Sequence, residues 1–253
     1  TKPASATNLG NGQYSIVVVQ GRGLGQTRRI VSQSSTATTT TLTLDAPLDV
    51  SLDGTSRVQV LMMKQRSVVF GNSLNGIAEN ATRSTSNGSA GIMFFGGTTD
   101  MIVERNTLTN IRLPISIWSL TRVANDAPMF EPSMFSFVAN NTINQGRFGV
   151  VVYAAYTFTP QTDATSREAS PLAGTVVRGN TVQNGLISGF DVLFIRQGAD
   201  QPTSQVVDGL VLEHNRFVHL PVAINFSFAM ITNYQGFTTS GAVVRNSLVY
   251  KNY

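Results

Sequence analysis

The sequence predicts an all-β protein built as a solenoid, and three observations carry that expectation. A short element recurs six times. The runs flanking it alternate apolar and polar residues with a period of two. The polar mass is Ser, Thr, Asn, Gln and Gly rather than Lys and Glu. The chain has 253 residues, of which 42% are hydrophobic and 13% charged, about half the charged share of an ordinary soluble domain. A sizeable core is therefore available, and disorder sustained by charge is excluded. No apolar run reaches the ~20 residues of a membrane-spanning helix. The absence of cysteine excludes disulfide scaffolds, thiolate metal sites and cysteine nucleophiles. With only His214 and His219, a multi-histidine metal centre is not expected. The net charge of +4 comes from 15 Arg and 3 Lys against 14 acids. That is short of the dense basic footprint of a nucleic-acid binder, so neither nucleic acid nor a membrane is an expected partner.

In chain order, residues 1–66 are expected to hold N-terminal coils with a β-rich insertion, with strands near 14–20, 28–33, 40–45 and 57–63. The glycine run from Gly21 to Gly25 reads as a tight β-turn, because it lacks the Lys-Ser/Thr of a phosphate loop and no helix follows. Residues 67–253 are expected to form one continuous stack of coils, making roughly seven coils in all. The repeated element is apolar, two variable residues, Asn, a small or polar residue, apolar. Its asparagines are Asn72, Asn106, Asn141, Asn180, Asn215 and Asn246, spaced 34, 35, 39, 35 and 31 residues apart. Asn tolerates left-handed backbone, and its amide bonds neighbouring backbone. Stacked copies would form an internal asparagine ladder with coils ~4.8 Å apart.

These six motifs, covering residues 69–248, resemble the repeats of right-handed parallel β-helix proteins of the pectate-lyase-like kind. The resemblance implies a right-handed parallel β-helix with loop insertions. The run Gly21-Arg22-Gly23-Leu24-Gly25-Gln26-Thr27-Arg28, followed by Thr41-Leu42-Thr43-Leu44, Pro47 and Asp53-Gly54-Thr55-Ser56, is similar to a segment of bacterial β-helix and phage tail proteins. Many of those carry Trp after the Pro, where this chain has Leu48. The segment is expected as a structural insertion between coils.

After each Asn motif comes a second strand. Alternation places Ile115/Ile117, Val150/Val152 and Val222/Ile224 inside, and turns Trp118, Tyr153 and Asn225 outward in adjacent coils. On the fourth such strand either Phe194 or Ile195 is expected to face outward. Insertions near 119–134, 154–173, 197–206 and 227–240 follow these strands and are expected to wall a long groove. Sugar rings stack on aromatic faces, so Trp118, Tyr153 and Asn225 are the expected substrate-binding residues. Two insertions carry an Asp and a Glu five residues apart, Asp126/Glu131 and Asp163/Glu168. Glycoside hydrolysis needs two carboxyl groups, and elimination or epimerisation of uronates needs a base plus a cation for the substrate carboxylate. The candidate catalytic set is therefore Asp126, Glu131, Asp163, Glu168, Arg167, Asp191 and Arg196, with Asp200 beside it. No calcium loop of the Asp-x-Asp-x-Asp kind is present, so no metal ligand set and no cofactor is expected; a Ca²⁺ ion stays open but has no motif that points to it. His214 is expected at the solvent side beside Arg105 and Arg245, and His219 in a turn.

The expected function is that of a secreted, extracellular, bacterial or phage carbohydrate-active protein, a lyase, hydrolase or epimerase with an extended polysaccharide as partner. The alternative is a non-catalytic adhesin or a tailspike-like domain, the latter as a homotrimer. The loop-like start at Thr1 and the strand-like run before Tyr253 predict a fragment whose partners include further segments of the same protein.

Overall fold

A computed structural model describes residues 8–82, 89–124, 127–157, 170–194, 205–228 and 242–253. Apart from one helical turn, Ala78–Thr82, the regular elements are strands. From residue 64 onward they stack in parallel, the strand Ala127–Glu131 excepted, into a β-solenoid of about four turns. Each turn has three faces. The first carries Thr98–Glu104, Ser133–Ala139, Val176–Arg178 and Val211–Glu213. The second is built from three-residue strands, Thr107–Thr109, Thr142–Asn144, Thr181–Gln183 and Arg216–Val218. The third holds Ala90–Phe95, Leu113–Ala124, Phe148–Thr157, Ser188–Phe194 and Val222–Phe228.

The corners follow from backbone conformation. Arg66, Asp100, Phe135, Gly174, Gly209 and Asn246 are all left-handed, and their strand neighbours are in register, so they form one column. Gly71, Arg105, Asn140, Gly179, His214 and Lys251 form a second column. Asn110, Gln145, Asn184 and His219 form a third. A left-handed residue turns the chain within one position. Each side-chain-bearing residue there costs of order 1 kcal/mol, which the ladder on either side offsets. Inside the second corner run the asparagines. The Oδ1 of Asn141 accepts from both the backbone N–H and the Nδ2 of Asn106, at 2.9 and 3.0 Å. Asn180 does the same for Asn141, and Asn215 for Asn180. Each Nδ2 also donates to a carbonyl of the preceding turn, as Asn141 does to Val103.

The sixth rung is Asn252, not Asn246. The Oδ1 of Asn252 accepts from the backbone N–H and Nδ2 of Asn215 at 3.1 and 2.9 Å. Asn246 sits one corner earlier and donates to Asp208 at 2.8 Å. Its 31-residue spacing was short because it belongs to a different corner, and the true rung lies 37 residues on. His214 accordingly shares its column with Arg105 but not with Arg245, which pairs with Asp208 at 2.9 Å. His219 is a turn residue with φ 51°, 3.3 Å from Asn184.

The core lies between the faces. Ile115, Ile117, Val152, Phe190 and Val192 of the third face, all fully buried, meet Val103, Val138 and Leu212 of the first and Leu108 and Ile143 of the second. Inward alternation holds for Ile115/Ile117 and Val150/Val152. Val222, expected inside, is 42% exposed, because its strand ends the third face and has no described neighbour on its far side. The coil number is below seven because Ser15–Gln20, Thr27–Ser35, Thr40–Leu44 and Arg57–Leu61 form a separate antiparallel sheet. The glycine run turns between its first two strands, with Gly21, Gly23 and Gly25 at φ 71°, 85° and 94°. Val17, Val19 and Leu61 of this sheet pack on Phe130, Met134 and Ala173 of the solenoid.

Candidate functional site

Outward alternation on the third face sets two rows of side chains next to each other. Register aligns Phe95, Trp118, Tyr153 and Leu193 in one row, and Met93, Ser116, Val151, Asp191 and Asn225 in the other. Trp118 and Tyr153 lie on the expected outer side. Their rings stack on each other, 3.7 Å between centroids and 20° between planes, and Phe95 leans on Trp118 at 5.4 Å. Tyr153 is 6% exposed and, with Val151 and Leu113, forms an apolar cluster separate from the main core. Of the expected trio, Asn225 is shifted by two residues along the strand and bonds Asp191 instead of lining up with the rings. On the fourth strand it is Leu193 that takes the position beside Tyr153. Phe190 and Val192 alternate inward, and Ile195 lies outside the described residues.

Asp191 is the candidate acid that this face holds. Its Oδ1 accepts from the Nδ2 of Asn225 at 2.8 Å, and its Oδ2 accepts from the Ser188 hydroxyl. Burial pushes its pKa above the usual carboxylate value, and the two hydrogen bonds only partly offset this. A carboxyl so placed keeps its proton to a higher pH than a solvated one, the property of a general acid.

The remaining candidates divide. Asp126, Asp163, Arg167, Glu168, Arg196 and Asp200 lie outside the described residues. Glu131 is described. The segment expected as a loop at 119–134 is in fact a strand extension and an antiparallel hairpin, Leu113–Ala124 with Ala127–Glu131, in which Leu120 pairs with Glu131 and Ala124 with Ala127. Glu131 stands opposite Leu120 at the hairpin's base, with its carboxylate over Gly96, where no side chain stands in the way. At their described ends the first two insertions lie side by side. Thr121 pairs with Thr157, the Ser119 hydroxyl donates to the Ser170 carbonyl at 3.1 Å, and Ser170 N–H donates to Thr121 Oγ1 at 2.8 Å. Asp45, Asp49 and Asp53 do not converge. They meet Arg29, Arg28 and Thr55 respectively. Among the described residues no group of three His, Asp or Glu is placed to hold a metal ion.

Two features escaped sequence reasoning. One is a cavity of about 290 Å³ where the antiparallel sheet meets the solenoid, lined in part by Gln26, Arg28, Asp100 and Phe135. Phe135 is 47% exposed, with its ring over Gly174. The other is the pair Arg112 and Arg147 at the entrance to two third-face strands. The available signal was positional: Arg112 stands six residues after Asn106, and Arg147 six after Asn141.

No protein-family model, curated protein or solved structure matches the chain. What defines it is its class, an all-β parallel solenoid with an asparagine ladder and a buried acid beside an aromatic pair on one outer face.

Proposed function

We propose that this solenoid engages an extended extracellular polysaccharide along the outer side of its third face, as a secreted carbohydrate-active enzyme with Asp191 as its acid. One observation carries the reading. A stacked aromatic pair, Trp118 and Tyr153, stands in the row beside a buried acid–amide pair, Asp191 and Asn225. Aromatic faces suit the apolar C–H faces of sugar rings. An acid whose burial preserves its proton suits the leaving oxygen of a glycosidic bond. Successive strands of the face repeat along the solenoid axis, which fits a polymer better than a small molecule.

The test is incubation of the full chain with a panel of polysaccharides, following new reducing ends and the absorbance of unsaturated uronates. Turnover by the wild type and a loss of about 10²–10⁴-fold in Asp191→Asn is the expected result. Trp118→Ala should weaken polymer binding by ~1–3 kcal/mol, the scale of a lost stacking contact with its buried area. Full turnover in Asp191→Asn sinks the assignment of the acid.

A second reading is a non-catalytic adhesin or tail-fibre module. It is favoured by the way Ser188 and Asn225 already engage both oxygens of Asp191, which suits a structural carboxyl. Saturable polymer binding without product, from a trimeric protein, would select it.

A further inference from the structure

We propose that Arg112 and Arg147 form a binding site for an oxyanion, a carboxylate or a sulfate, beside the aromatic cluster of the third face. The two residues are held on neighbouring turns, because the backbone N–H of Phe148 donates to the carbonyl of Arg112 at 3.2 Å. Adjacent turns lie ~4.8 Å apart, so two positive side chains start from almost the same place. Arg147 also reaches the carbonyl of Thr82 at 3.4 Å, across from the helical turn.

Nothing in the described structure neutralises Arg112. Other arginines meet carboxylates: Arg28 meets Asp49, Arg178 meets Glu213 and Arg245 meets Asp208. The Arg112 side chain has no such partner among the described residues, and its Nε is buried without a hydrogen bond. Buried donors are almost always satisfied, so an exception asks for an explanation. The Ser116 hydroxyl, in the outward row of the same strand, is also buried without a partner. Burial, together with the repulsion from Arg147, lowers the pKa of Arg112, while the phenol of Tyr153 acts in the opposite direction. The guanidinium remains charged. A guanidinium with an unused buried donor, held beside a second positive charge, is costly when the site is empty and favourable once an anion reaches it. Planar guanidinium forks match the oxygens of carboxylate and sulfate better than a spherical halide.

The experiment uses the full chain, with melting temperature and calorimetric titration read in sodium sulfate against sodium chloride at matched ionic strength, and in sodium glucuronate against glucose. Sulfate or glucuronate should raise the melting temperature saturably, while chloride and glucose do not. Losing one charge-assisted contact should weaken oxyanion affinity about tenfold or more in Arg112→Gln, and less in Arg112→Lys. In chloride alone Arg112→Gln should melt no lower than the wild type, since it removes a repulsion. A response to glucuronate identifies a sugar-borne carboxylate as an accepted ligand, and a response to sulfate alone restricts the site to sulfate or a sulfated chain. The proposal is overturned if neither anion differs from chloride, or if Arg112→Gln keeps wild-type affinity. These readouts involve no turnover, so they stand or fall separately from the assignment of Asp191.

Discussion

At the scale of single residues, the asparagine ladder and Asp191 show opposite uses of a buried polar side chain. Asn180 is 1% exposed; its Oδ1 accepts two bonds from Asn141, and its Nδ2 donates to Val138 and Asn215. Replacing it with Leu leaves the Asn141 N–H and the Val138 carbonyl buried and unpaired, at ~1–3 kcal/mol for each group. Urea unfolding should therefore report a loss of about 2–5 kcal/mol for Asn180→Leu. Asn246→Leu, whose amide only meets an exposed Asp208 contact, should stay within about 1 kcal/mol. Equal losses would refute the assignment of the ladder. Asp191 works the other way, since burial favours its neutral form. Its folded pKa lies above the ordinary 3.8, so between those two values the folded state binds more protons than the unfolded one. Stability from this group is fully present below pH 3.8 and declines as pH rises through the raised value, above which the loss is constant. Asp191→Asn should flatten that decline in a pH series of thermal melts, and an unchanged pH profile would count against a perturbed carboxyl.

At the scale of elements, the third face is decided by alternation within each strand and by register between strands. Phe190 is fully buried and meets Phe226 edge-on at 6.4 Å. Phe190→Ala should cost about 3–5 kcal/mol through lost transfer energy and the cavity left behind. Val222 has inward parity on a neighbouring strand yet is 42% exposed, so Val222→Ala should cost less than about 1 kcal/mol. Comparing the two by denaturant midpoint tests whether the last strand of the face lies at an open edge. Periodicity of two was readable in the sequence, which is why Ile115, Ile117, Val150 and Val152 were placed correctly. Register was not. Repeat lengths from 34 to 39 residues hide how far each strand slides, and Asn225 thus falls opposite Asp191 instead of in the row of Trp118 and Tyr153.

At the scale of the whole molecule, two architectures share one seam. Val17, Val19 and Leu61 of the antiparallel sheet pack against Phe130, Met134 and Ala173 of the solenoid. Met134 is fully buried there, and Met134→Asp would place an unpaired charge in the seam. Limited proteolysis should then cut the residue 20–60 region faster, while amides of the ladder, such as those of Asn141 and Asn180, keep the slowest hydrogen exchange. Uniform loss of protection would mean that the two parts form a single cooperative unit. The cavity lined by Asp100 and Phe135 lies on the same junction and exists only because the sheet is docked.

By itself the sequence determined the all-β solenoid, its asparagine rungs from Asn72 to Asn215 and the inward placement of Ile115, Ile117, Val150 and Val152 on the third face. Each of these is a local pattern: a left-handed corner that Asn or Gly tolerates, and a side-chain period of two. Tertiary structure alone decided which asparagine completes the ladder, because the bond between Asn215 and Asn252 is set by stacking, whereas the motif around Asn246 has the same local form one corner earlier. It alone joined Asp191 to Asn225 and set Arg112 beside Arg147. Those pairs are 34 and 35 residues apart in sequence, and their meeting depends on the length of every insertion between them, a quantity that no local propensity encodes.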